Sequence, residues 1–337
     1  MIGLFSRSGM PLAELDFYFK RTWKLNDFGE GSFSIPINHL KTTPENLNYN
    51  NLVYVPHDKL PPWAGYIAKR EWEDYSTIRV TCYSAEKLLW KRVTPKVLET
   101  TGTPSQVVKR LINHMYPGFE TLPVTIGQLW GGGSNQNITY NFTHIDEAIK
   151  QLSDDTGYDW DVLPVIDNIG RLYFSVNWYE QRGIISGYGL IEDRNLELSR
   201  KPLSEEGDMV NYVIGYGAGS NWSDKPISEK QNDASINQYG LTVDVIGFED
   251  GKKSQLESNT LAQVESTKDP FSAYDFTALD YEKTFYYLDR GNVLPVELYS
   301  VGFNGGVIGT EGLARITGMT YDHENNKTEL VMEKYNG

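Results

Sequence analysis

Two carboxylates stand at the one place in this 337-residue chain where residue type and spacing suggest catalysis. "YDWD" (158–161) sets Asp159 and Asp161 two residues apart, and in a strand such a pair shares one face. Paired carboxylates serve glycoside hydrolysis, one as acid and the other as base or nucleophile. A catalytic pair normally comes from separate strands, however, whereas alternating carboxylates on one strand ordinarily face water. The second expectation is therefore a solvated strand face, on which asparagine at both positions leaves infectivity and any glycan signal unchanged.

The other motifs are weaker. "GYGAG" (Gly215, Gly217, Gly219) looks like a dinucleotide loop, but it leads into Asn221, Trp222, Ser223, Asp224 and Pro226 rather than opening a helix, so a turn or bulge is the better reading. The five histidines (His39, His57, His114, His144, His323) have no metal-ligand spacing. His323 between Asp322 and Glu324 reads as part of a hairpin turn. Cys82 is the only cysteine, so no disulfide framework or thiolate zinc site is available. There is no Gly-x-Ser-x-Gly and no Cys/His pairing for a nucleophile. The expectation is no catalysis, no cofactor and no metal.

Charge is uneven. Residues 1–98 carry 13 Lys+Arg against 10 Asp+Glu, a net of +3; residues 99–194 carry 6 against 12, a net of −6; residues 195–337 carry 12 against 23, a net of −11. An acidic body argues against a surface that grips nucleic acid, which needs clustered cations. No apolar run reaches the length of a membrane span, and the opening "MIGLFSRSGM" has too short an apolar core for a secretory signal. The sequons at Asn137, Asn141, Asn221 and Asn326 have no secretory context.

Three stretches of different texture must position these groups. Residues 1–98 read as about five short strands: "AELDFYFKRTWKL", "GSFSIPIN" with Phe33, Ile35 and Ile37 on one face, "NLVYVPH", Trp63–Glu73 and Ser76–Tyr83, then a helical turn from Ser84 to Trp90. This pattern suggests a small barrel. Residues 99–194 read as an α+β insert. One helix carries Val107, Val108, Leu111, Ile112 and Met115 behind Pro104; a second carries Ile145, Ala148, Ile149 and Leu152, with Thr143 and Asp146 at capping-box spacing and Gly157 as its stop; two strands follow. Residues 195–337 return to strands, with a helix over Ser254–Thr267 and a closing hairpin of Ala314–Tyr321 and Thr328–Met332.

Four segments in this order resemble the tail hub (baseplate hub or distal tail) proteins of long-tailed bacteriophages. "WKLNDFGEGSFSIPIN" (Gly31, Phe33, Pro36) resembles their Trp-x-Gly-Phe-x-Pro region. "PWAGYIAKREWEDYSTIRVTCYSAEKLLWKR" (Trp63, Gly65, Leu88, Leu89, Arg92) resembles their paired strands followed by Leu-Leu and Arg. "DMVNYVIGYGAG" (Asn211) and "DASINQYG" (Ser235, Tyr239, Gly240) resemble the opening of their second barrel. "ARITGMTYDHENNKTELVM" (Arg315, Gly318) resembles their closing hairpin.

The resemblance implies a β-rich α+β architecture: two small tail-tube-like β-barrels, 1–98 and 195–337, with the α+β insert 99–194 between them and a helical, aromatic insertion at about 250–290. It implies a homotrimer at the tail tip that adapts a sixfold tube to a threefold tip. One side would meet the tail tube or distal tail protein ring, the other a spike or fibre protein. Tape-measure protein and DNA would pass through its lumen, the DNA without specific binding, and the protein would not insert stably into a membrane. The alternative is a tail-tip receptor-binding or cell-wall glycan-degrading protein. The hairpin, as closing strand of the second barrel, is then expected to be dispensable for residues 1–194 but needed for the ring.

Overall fold

The computed structural model describes residues 1–118, 122–198, 204–206, 209–219, 224–248, 253–268, 271–280, 283–298 and 310–335. The N-terminal third runs β1 (Ile2–Phe5), β2 (Pro11–Leu15), β3 (Lys20–Lys24), β4 (Glu30–Pro36), β5 (Leu52–Val55), β6 (Trp63–Trp72), β7 (Thr77–Ser84) and α1 (Ala85–Leu88). There follow β8 (Leu98–Gly102), α2 (Pro104–Asn113), β9 (Val124–Leu129), β10 (Gln136–Tyr140), α3 (Ile145–Thr156), β11 (Asp159–Ile166), β12 (Leu172–Tyr179), β13 (Leu190–Ile191) and β14 (Leu196–Leu198). The remainder is β15 (Ser204–Glu206), β16 (Tyr212–Tyr216), β17 (Ile227–Gln231), α4 (Asp233–Tyr239), β18 (Val243–Gly247), α5 (Lys253–Thr267), β19 (Phe271–Leu279), β20 (Val293–Leu298), β21 (Thr310–Asp322) and β22 (Lys327–Lys334).

Two compact units result. One comprises Met1–Asp154, Tyr158–Arg200 and Asp275–Gly337; the other comprises Asp155–Gly157 and Lys201–Tyr274. The region read as a second barrel thus contributes to both units. In the first, a single sheet runs in the order β14-β19-β22-β21-β3-β4-β7-β6-β5-β1-β2, with β20 also on β21 and β13 on β20. The closing hairpin therefore joins the C-terminal strands to the N-terminal ones. β21 pairs antiparallel with β3 over Gly318↔Lys24, Met319↔Trp23, Thr320↔Thr22 and Tyr321↔Arg21.

The long strand expected over "AELDFYFKRTWKL" is broken at 16–19, between β2 and β3. β4 alternates as its sequence dictates, with Phe33 and Ile35 buried, but it ends at Pro36, which leaves Ile37 exposed. Nor does the core divide at residue 98. Phe5, Leu52, Tyr66, Leu88 and Leu89 belong to the same buried cluster as Val107 and Leu111 of α2, Ile149 and Leu152 of α3, Trp160 of β11 and Phe174 of β12. The insert packs against the N-terminal strands because the inner stripes of its two helices have no other apolar surface to cover. Gly157 ends α3 at φ +71, as its sequence position suggests.

At the β3–β21 seam, Arg21 is buried and stacks on Tyr321 and Trp23, at 5.0 and 5.4 Å from the ring centres, while its Nη1 donates to Val55 O at 3.2 Å. The His57 ring packs edge-on against Tyr321 at 5.0 Å, and its Nδ1 accepts the backbone N–H groups of Lys59 (3.0 Å) and Leu60 (2.9 Å). Nδ1 cannot accept once protonated. Burial first, and then the charge of Arg21, hold His57 below its ordinary 6.5, at about 4.

Above pH 6.5 both the folded and the unfolded chain carry this histidine neutral. As pH falls from there towards 4, the unfolded chain binds a proton that the folded chain refuses, so stability falls across that window. Urea midpoints measured from pH 7 to pH 5 are expected to drop in the native protein and to drop less in His57→Gln. Equal slopes would show that His57 is not the titrating group.

Candidate functional site: a buried carboxylate–arginine cluster

Asp159 and Asp161 do share one face of β11, but that face is neither solvated nor open. They are 2% and 0% exposed, which corrects the expectation of a solvated strand face. Asp159 accepts from Asn26 Nδ2 at 2.8 Å, from the Arg182 backbone N–H at 2.6 Å, and from Arg315 Nη2. Asp161 accepts from Arg182 Nε at 2.6 Å, Asn177 Nδ2 at 2.9 Å and Tyr179 Oη at 3.2 Å, with Arg290 Nη2 at 3.9 Å.

Arg182 continues to Asp289 at 3.0 Å, and Arg290 pairs with Glu86 of α1 at 2.7 Å. Ser84 Oγ donates to Glu86 at 2.6 Å and accepts from Gly29 N at 2.8 Å. The cluster thus ties α1, β11, β12, the segments 182–183 and 289–292, and β21 into one network. Burial alone would lower Arg182, but the charges of Asp289 and Asp161 outweigh it and hold the guanidinium above its usual range. Burial, and then the Asp161 charge, push the Tyr179 phenol up. Each carboxylate of the pair is matched to an arginine and saturated with donors. Such a group positions chain segments.

The sequence reading missed Arg182, Arg290, Glu86 and Asp289. The available signal was a repeat of Arg-Gly, "QRG" and "DRG". Gly183 (φ +91) and Gly291 (φ +86) lie back to back, and a Cβ on Gly183 would come within 2.3 Å of the Gly291 carbonyl. Only glycine lets the two segments approach closely enough for Arg182 Nη1 to reach Arg290 O. Beside Glu86 and Trp160 lies a cavity of about 100 Å³, lined also by Asp27, Phe28, Lys87 and Asp146. That is small against the several hundred Å³ of ordinary ligand sites. Among the described residues no group of three or more His, Cys, Asp or Glu is arranged to hold a metal, and no helix is long and apolar enough to cross a membrane.

The residues singled out by resemblance fall into separate places. Gly31 sits in β4 opposite Arg21 and Cys82, Phe33 is buried beside Phe19, and Pro36 closes the strand opposite Thr77. Trp63 is buried with Nε1 donating to Thr22 O at 3.1 Å, and Gly65 pairs with Val53 and Ser84. Leu88 and Leu89 enter the common core, and Arg92 Nη1 donates to Lys91 O at 2.9 Å. Arg315 belongs to the buried cluster, and Gly318 follows the register shift in β21.

In the second unit Asn211, Ser235 and Gly240 meet. Asn211 Nδ2 donates to Ser235 Oγ (3.2 Å) and Gly240 O (2.7 Å), and its Oδ1 accepts from Thr242 N (2.8 Å). Tyr239 stays partly exposed on α4.

No family model and no curated protein matches the chain. Its backbone, in contrast, superposes end to end on solved tail proteins. The prophage tail protein gp18 from Listeria monocytogenes EGD-e matches with a TM-score of 0.64 at 11% identity, over 99% of this chain and 94% of that one. This chain has the fold of phage tail proteins. The 43 kDa tail protein of prophage MuSo2 from Shewanella oneidensis gives a TM-score of 0.64 at 13% identity, over 98% and 97%. The E. coli c3393 protein is a component of the type VI secretion system with structural similarity to the T4 tail proteins gp27 and gp5. It matches this tail-protein fold with a TM-score of 0.53 at 11% identity, over 100% of this chain and 77% of its own.

Proposed function

We propose that this chain is a structural virion protein of a phage tail, located at the tail tip or baseplate, where it forms a homotrimeric hub. The observation that carries this reading is the end-to-end match to solved tail proteins, with almost nothing left over on either chain. Two tube-like barrels per chain would place six around a threefold axis, so that a trimer docks on a sixfold tail tube or distal tail ring and offers its far side to a spike or fibre protein. A net charge of −14 suits a lumen along which tape-measure protein and DNA slide without specific binding.

The hub is proposed to be non-enzymatic. The competing reading, a glycan-degrading or receptor-binding tip, would need a carboxylate pair in a cleft, and Asp159 and Asp161 are spent on arginines. Gold-labelled antibody on purified virions, together with mass measurement of the isolated protein, tests the proposal. Label at the tail tip and a particle of three 38.3 kDa chains are expected. Virions without label, or release of soluble fragments from peptidoglycan by the purified protein, would overturn it.

A further inference from the structure

The small sheet of the second unit has two open edges. Its order is β17-β16-β18, and among the described residues the outer sides of β17 and β18 have no strand partner. On the outer face Tyr212, Ile214 and Tyr216 of β16 stand in register with Gln231, Glu229 and Ile227 of β17 and with Val243, Val245 and Gly247 of β18. Val243 is 49% exposed, Val245 55% and Ile227 51%. Edge strands of free-standing proteins are usually blunted by charge, proline or a bulge. β18 has one charged residue, Asp244, and is otherwise apolar or glycine.

The charges on the two edges complement each other. Lys230 of β17, Val213 of β16 and Asp244 of β18 form one row across the sheet, with the cation at one edge and the anion at the other. Neither takes part in an ion pair among the described residues. β17 runs antiparallel and β18 parallel to β16, so β18 of one molecule meets β17 of the next as an antiparallel pair. Continued along the row, that pairing sets Asp244 of one molecule against Lys230 of its neighbour. Glu229 makes no conflict there, because Tyr212 Oη donates to it at 2.5 Å within its own chain.

We propose that copies of this chain join edge to edge through the second unit, β18 of one molecule antiparallel to β17 of the next, with Asp244 and Lys230 fixing the register. The contact is head-to-tail, so it closes into a ring where the rotation between successive copies sums to a full turn. Only the number of copies rests on the hub reading above.

A doubly substituted Lys230→Cys/Asp244→Cys protein tests the pairing, since residues facing each other across antiparallel strands are near enough for a disulfide. The native Cys82 is buried and stays silent. Mild oxidation should give covalent two-chain and three-chain species, while either single-cysteine variant should give none of the three-chain species. Lys230→Glu should weaken association roughly 2–5-fold at each contact, as like charges facing across strands do. Lys230→Glu/Asp244→Lys should restore it.

An oligomer that forms without cross-linking, a charge reversal that its partner fails to rescue, or a doubly substituted protein that stays monomeric under oxidation at every concentration would each overturn the proposal. Absence of the protein from tails would sink the hub reading while leaving the cross-linking result intact.

Discussion

Asp161→Asn is expected to destabilise the protein by about 3–5 kcal/mol, although the side chain keeps its shape. Asp161 is fully buried and is the anion against which Arg182 Nε is fixed at 2.6 Å, with Arg290 Nη2 at 3.9 Å. Asparagine still accepts hydrogen bonds but leaves Arg182 with Asp289, whose side chain is 30% exposed. A buried guanidinium that loses one of its two carboxylates recovers only part of its desolvation cost, and Arg290 loses a neighbouring anion as well. Against the roughly 5–15 kcal/mol of a whole domain this is a large fraction.

Replacing both partners removes that penalty. Asp161→Asn/Arg182→Met should therefore cost clearly less than the sum of the two single changes, a coupling that a double-mutant cycle on urea midpoints measures. A single change costing under about 1 kcal/mol would mean that water reaches the cluster. The burial of both carboxylates, which the solvated-face reading did not foresee, is what makes asparagine costly here.

What was legible in the sequence is what depends on neighbours along the chain. β6 and β7 lie within a residue of their expected bounds, α3 carries its expected stripe and ends at Gly157, and the hairpin contains both expected strands, with β21 beginning four residues earlier, because apolar periodicity and Gly157 act locally. α4 was missed because "DASINQYG" is placed by resemblance alone, as part of the opening of a second barrel. Its cap, Asn232 accepting from Ser235 N at 3.0 Å, is local, but the bonds from Asn211 that hold Ser235 and Gly240 span 24 and 29 residues.

The buried cluster was illegible for the same reason at larger scale. Arg315 and Asp159 lie 156 residues apart, and Arg290 and Glu86 lie 204 apart. No window of sequence contains both halves of such a pair. An i, i+2 carboxylate pair without its arginines can only be weighed as solvated or catalytic, and here it is buried and paired with arginines.

Deleting Thr320–Gly337 should unfold the first unit, not merely separate copies. Read from sequence, the hairpin closes a distant barrel and residues 1–194 survive without it. In the fold, β21 is the sheet neighbour of β3, and Thr22 Oγ1 and Thr320 Oγ1 lie 2.9 Å apart across that seam. The deletion removes Tyr321, Leu330 and Met332 from the core and strips Arg21 of one of the two rings on which it stacks. Three buried side chains at about 1.5–3 kcal/mol each approach the stability of a whole domain.

The truncated protein is therefore expected to be insoluble, or soluble but rapidly cleaved throughout by protease. Tyr321→Ala keeps the hairpin while removing its central contact, and should lower stability by about 3–5 kcal/mol with the fold retained. If the truncated chain instead yields a protease-resistant fragment ending near residue 194, the N-terminal strands close without β21 and the hairpin serves only the strands that follow.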